Sequence, residues 1–143
     1  MTSEPNLTLV CAAALSALAA LLHLGIIVGG ASWYRFFGAG ERMAAAAAAG
    51  RVYPTVVTAA IATALLAWSA YALSGAGVLG VLPLRKAALV AITGIYLTRG
   101  LLVFPLLLFA RSRISAFWLW SSLTCIGFGA VHLAGLVQAW SRL

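Results

Sequence analysis

The sequence predicts an all-helical integral membrane protein, with four transmembrane helices in an antiparallel bundle and a short interfacial or re-entrant segment between the first and second. Three observations predict it. Of 143 residues, 64% are hydrophobic and 8% are charged, whereas a soluble domain needs about 25% charged residues to cover its surface. Apolar stretches of 18 residues or more recur, and stretches of that length read as spans. The period-2 alternation of a membrane barrel is missing, so only helices can satisfy the backbone in lipid.

The first span is expected at about 7–28, "LTLVCAAALSALAALLHLGIIV". It lacks a basic segment before it, follows Glu4 and is too long for a signal-peptide core, so it reads as a retained helix. Next comes "SWYRFFGAGERM", residues 32–43, where two arginines and one of the two acids fall among aromatics and glycines. Gly29, Gly30, Gly38 and Gly40 permit tight turns, so this stretch is expected to fold back against the bundle. The following "MAAAAAAG" then forms a short helix along the interface, ending at Gly50.

The second span, at about 54–73, opens on Pro54, whose missing N–H costs nothing in a first turn. The glycine-rich "SGAGVLGVLP" is short enough to make spans two and three a tight antiparallel pair. The third span, 84–109, is expected to bend or end at Pro105, and the fourth covers 115–140. Each approximates the ~20 residues that cross ~30 Å of hydrocarbon. One membrane domain over 1–143 follows, with both termini on one side.

The formal charge of +7 would suggest nucleic acid in a soluble protein. Here the basic residues sit mainly between apolar stretches, where they set topology and meet lipid headgroups, so nucleic acid is excluded as a partner. The connections on one side carry Arg35, Arg42, Arg51, Arg111 and Arg113; the other side carries Arg85, Lys86 and Arg142. The larger basic set faces the cytoplasm by the positive-inside rule, which puts both termini outside. Eight arginines against one lysine, with abundant Ala and Gly, suit a bacterial inner-membrane protein. Trp33, Tyr34, Tyr53, Phe117, Trp118, Trp120 and Trp140 near span ends form the expected aromatic belt. Cys11 and Cys125 cannot make a CxxC site and read as buried, inert thiols.

Small residues at helical spacing mark the packing faces: Ala12, Ser16, Ala19, Ala20 and His23 in the first span, and Cys125, Gly129, His132 and Gly135 in the fourth. Both histidines are expected to face the interior. They would lie roughly 24 Å and 12 Å from the terminus side, a gap too wide for the two axial ligands of one haem; a haem with a single protein ligand is the remaining cofactor expectation. "LLHLGIIVGGASW" and "RVYPTVVT" are superficially similar to the small four-span, haem-associated protoporphyrinogen oxidase family. "RFFGAGERMAAAAAAG" does not fit that pattern, and the sequence assigns no family.

Arg99, in "ITGIYLTRGLLVF", falls near the middle of the third span, where arginine costs about 2.5–3.5 kcal/mol on insertion scales. Glu41 is the acid on the side its stem can reach. His23, Arg35, Glu41, Arg42, Arg51 and Arg99 are therefore expected to converge as a ligand-binding set. If Glu41 neutralises Arg99, the remaining guanidinium forks suit the phosphate of an anionic lipid. Without aspartate, and without metalloprotease, nucleophile-elbow, Walker or zinc patterns, the chain leans away from enzymes, and neither a catalytic nor a metal site is expected. The leading expectation is an accessory or anionic-lipid-binding protein, in a homo-oligomer or a larger membrane complex. The alternatives are a dimeric carrier for an anion or lipid phosphate and, third, a haem-associated redox protein.

Overall fold

The computed structural model describes residues 4–143. Among them are six α-helices, one short 3-10 helix at Arg111–Arg113 and no strand. The helices are α1 (Leu7–Phe36), α2 (Glu41–Ala48), α3 (Val52–Ala76), α4 (Arg85–Leu101), α5 (Val103–Phe109) and α6 (Ala116–Ala139). Four helical stretches are long and apolar enough to cross a membrane: Leu7–Phe36, Val52–Ala76, Arg85–Phe109 and Ala116–Ala139. The chain is thus a multi-pass membrane protein by length and composition.

Local chemistry sets the ends. Asn6 caps α1, its Oδ1 accepting from Leu9 N at 2.8 Å, and Ser115 caps α6 by accepting from Trp118 N. Such caps satisfy backbone donors that a helix start leaves open. Three helices end alike: Gly38, Gly50 and Gly77 take positive φ just past α1, α2 and α3. The next residue then bonds back to a carbonyl of the last turn: Ala39 to Tyr34, Arg51 to Ala46 and Val78 to Leu73. Pro105, lacking an N–H, sits in α5 just beyond the break at Leu102.

The first helical stretch ends close to the expected Val28, and a second one, which the sequence reading did not place, continues to Phe36; between them Gly30 takes φ 64° and ψ −150°. That region of backbone space is nearly exclusive to glycine. Much of "SWYRFFGAGERM" is consequently helical, and α2 starts within it at Glu41. Cys11 is exposed and Cys125 half-buried, so Cys11 is not the buried thiol expected. The buried face of α1 runs through Leu9, Ala12, Ala13, Ser16 and Ala20, and Cys11 falls off that stripe.

The packing divides into two compact units, residues 1–16 with 68–143 and residues 17–67. In the first unit Leu9, Ala12, Ala13, Ala72, Ala76, Leu89, Leu136 and Ala139 form the core. α4 packs along α6 in the opposite direction: Gly100 meets Ser122 and Ile126, and Leu97 meets Gly129. Gly135 receives Leu9 in the same way. Small residues at these contacts let backbones approach, which is how helices associate where lipid is as apolar as they are.

In the second unit Ile26, Tyr34 and Ala44 form a small cluster with Phe37, Met43 and Ala47 against it. Tyr34 and Thr58 share a hydroxyl–hydroxyl bond of 3.0 Å, and the Trp33 ring lies over Gly25 and Gly29. Pro54, in the first turn of α3, is fully buried. In both units the span helices leave Leu18, Leu21, Val56, Leu66, Ile95, Leu123 and Val137 exposed, a surface suited to lipid tails.

Candidate functional site

Arg99 occupies the last turn of α4, and its side chain is half-buried. Nη1 donates to Ser122 Oγ and Nη2 to Ser121 Oγ, both at 3.2 Å. The guanidinium carbon stands 4.4 Å from the centroid of the Trp118 ring, a cation–π distance. Ser121 Oγ in turn donates to Trp118 O at 3.2 Å, which orients its lone pairs toward the arginine. The close α4–α6 approach at Gly100 puts these groups within reach. A Cβ on Gly100 would lie 2.8 Å from Ile126 N and 2.9 Å from Ser122 O.

All three partners are neutral. Serine hydroxyls and an indole face position a guanidinium but do not cancel its charge. Two of its five N–H groups are used by the serines, and the rest keep the planar fork that suits an oxyanion.

A turn earlier on α4, Tyr96 forms the polar centre of the same unit. Its hydroxyl shares a 3.0 Å bond with Ser16 Oγ. Its ring meets Trp68, Phe128 and His132 at centroid distances of 5.0, 5.6 and 5.1 Å. His132 is fully buried, and its Nδ1 donates to Phe128 O at 2.9 Å. Nε2 is buried and has no partner among the described residues.

The other five expected residues fall in the second unit. Glu41 is taken by Arg35, not Arg99: Arg35 Nε and Nη2 grip the carboxylate at 2.8–3.2 Å. The turn at Gly38 brings the end of α1 and the start of α2 together, while both side chains stay exposed. This is the sole ion pair among the described residues. Arg42 and Arg51 are exposed near the two ends of α2. His23 is half-buried and bonds within its own helix, Nδ1 donating to Ala19 O at 2.7 Å. The Arg113 side chain lies outside the described residues. Comparisons with protein families, with characterised proteins and with solved structures found no match.

The sequence reading did not place Trp118, Ser121 and Ser122 around Arg99, nor Tyr96 against Ser16. The available signal was "WLWSS", a serine pair one turn after a tryptophan in the span that follows Arg99. The six expected residues include no metal-ligand set, and no group of three metal-binding side chains occurs among the described residues.

The exposed pair has a defined acid response. The Arg35 guanidinium, mainly through its hydrogen bonds, holds the Glu41 carboxyl below the usual carboxylate range. A depressed folded-state pKa adds stability above the unfolded value, about 4.3, and loses it as pH falls through the folded value. At neutral pH, Glu41→Gln is expected to lower stability slightly, because exposed pairs contribute little. Stability measured in detergent from pH 7 to pH 3 should show the wild type falling to meet the variant on the acid limb.

Proposed function

We propose that the protein is a non-catalytic membrane protein of accessory or lipid-binding type, folded as a four-helix antiparallel bundle in a bacterial inner membrane, with both termini outside. Its ligand is the anionic headgroup of a lipid. The observation that carries this reading is Arg99. Its side chain starts about 15 Å from the Phe109 end of its span and about 21 Å from the Arg85 end. A charge so placed needs a counter-charge, and neither Glu41, held by Arg35, nor Glu4 forms an ion pair with it. Phosphate oxygens match the open edge of the guanidinium bidentately. Arg42 and Arg51, exposed beside α2, suit the headgroups of the bulk leaflet.

Native mass spectrometry of the full chain from mild detergent tests the reading. A stoichiometric anionic phospholipid is expected on the wild type. Arg99→Gln should weaken its retention about tenfold or more, the loss of one charge-assisted bond to the ligand. A bare wild-type chain would remove the lipid reading; a retained second polypeptide would leave the accessory one.

The position of Arg99 inside a span, and not at its end, favours a carrier as the second reading. A dimeric carrier should move a counted anion across sealed vesicles and lose that flux in Arg99→Gln.

A further inference from the structure

At the other end of α4, Arg85 and Lys86 turn toward carbonyls that close two other helices. Arg85 Nη1 donates to Ser74 O at 3.2 Å and Nη2 to Arg142 O at 2.8 Å. Lys86 Nζ donates to Trp140 O at 3.1 Å and stands 3.9 Å from the centroid of the Trp140 ring. Cations are favourable on C-terminal carbonyls, yet a carbonyl carries no net charge. Arg142 adds a third cation, reaching Glu4 O at 3.5 Å, and the Glu4 carboxylate forms no ion pair. This end of the first unit thus gathers three cations that form no ion pair among the described residues.

Two further features lie here. Arg85 Nη1 and Nη2 each keep a second N–H beyond the bonds to Ser74 O and Arg142 O, while Nε is shut off from solvent and takes no part. Beside it is an open hollow of about 360 Å³, lined by Arg85 and Lys86 on a wall of Val81, Leu82, Leu84 and Leu143. Val81 and Leu84 are 79% and 81% exposed, so the connection into α4 presents branched apolar side chains next to two cations.

We propose that this hollow is a binding site for the phosphate headgroup of an anionic lipid, with Arg85 and Lys86 on the phosphate oxygens and the upper acyl chain against Val81, Leu82, Leu84 and Leu143. The apolar wall decides between sources. A free phosphate makes no use of it, whereas a lipid fills both halves of the hollow, and basic residues at span ends attract anionic headgroups. The site is independent of Arg99.

Ala87→Glu tests it without touching the capping side chains. Ala87 is the exposed third residue of α4, where a carboxylate complements the helix start. The fold should be kept while phosphate is repelled. Lys86→Gln is the second variant. Each full chain, in mild detergent, is titrated with phosphatidylglycerol, phosphatidylcholine or inorganic phosphate, and bound mass is read by native mass spectrometry. The wild type should retain phosphatidylglycerol over phosphatidylcholine. Each variant, made in the Arg99→Gln background so that only this hollow is read, should weaken that retention about fivefold, the worth of one basic charge at a lipid surface. Equal retention of phosphatidylcholine, or undiminished retention in a folded Ala87→Glu and in Lys86→Gln, overturns the site. Inorganic phosphate competing at the lipid's own concentration overturns the lipid as its occupant.

Discussion

Tyr96→Ala is expected to destabilise the protein by about 3–5 kcal/mol, the range for truncating a buried aromatic side chain. Tyr96 is 5% exposed, and it is the α4 side chain that reaches three other helices. Its hydroxyl meets Ser16 of α1, and its ring lies edge-on to Trp68 of α3 and Phe128 of α6, beside His132. In lipid, association rests on contact and hydrogen bonding more than on exclusion of water, so losing three ring contacts weighs heavily. Tyr96→Phe keeps those contacts and removes only the hydroxyl. It should cost about 1 kcal/mol, because Ser16 can turn its hydroxyl to a carbonyl one turn back. Unfolding in mixed micelles measures both. Equal losses would move the weight from the ring to the Ser16 bond.

The second large effect is expected at Gly100. A methyl there meets the backbone of α6 at Ile126 N and Ser122 O, atoms that no rotamer change can clear. Overpacking of this kind costs about 1–3 kcal/mol, set against a gain of up to ~1 from better helix propensity. A net loss of about 1–2 kcal/mol is expected for Gly100→Ala. Gly94 is the internal control: it lies on the same helix, and nothing stands within 4 Å of its added Cβ. Gly94→Ala should therefore be neutral or stabilising by up to ~1 kcal/mol. Separating α4 from α6 also draws Ser122 away from Arg99, so Gly100→Ala should weaken anionic-lipid retention alongside stability.

The spans were legible because the hydrocarbon thickness imposes a length and a composition that few soluble segments meet. The packing stripe Ala12, Ser16, Ala20 and the stripe Gly129, His132, Gly135 were legible too, since small residues repeat where backbones approach. What the sequence hides is which helix faces which. A helix that is apolar all round carries little periodic contrast, so the register of α4 on α6 is not written in its pattern. Trp118 reads as one more belt tryptophan, and nothing in the pattern singles out Ser121 and Ser122. For the same reason Glu41 was given to Arg99, when six residues and a glycine turn put Arg35 beside it. Gly29–Gly30 does end the first helical stretch, and the pattern does not show that helix resumes beyond it, redirected, as far as Phe36.

That redirection has a bearing on membrane thickness. Thirty helical residues in a straight line would measure about 45 Å, far beyond ~30 Å of hydrocarbon. The segment before Gly30, Leu7 to Gly29, measures about 34 Å, which a modest tilt accommodates. Gly30 therefore uncouples how long α1 is from how much bilayer it must cross. The last turn, with Trp33 and Arg35, can follow the headgroup plane while the rest keeps its depth. The non-helical φ and ψ of one residue separate a stretch long enough to span from a short one that need not.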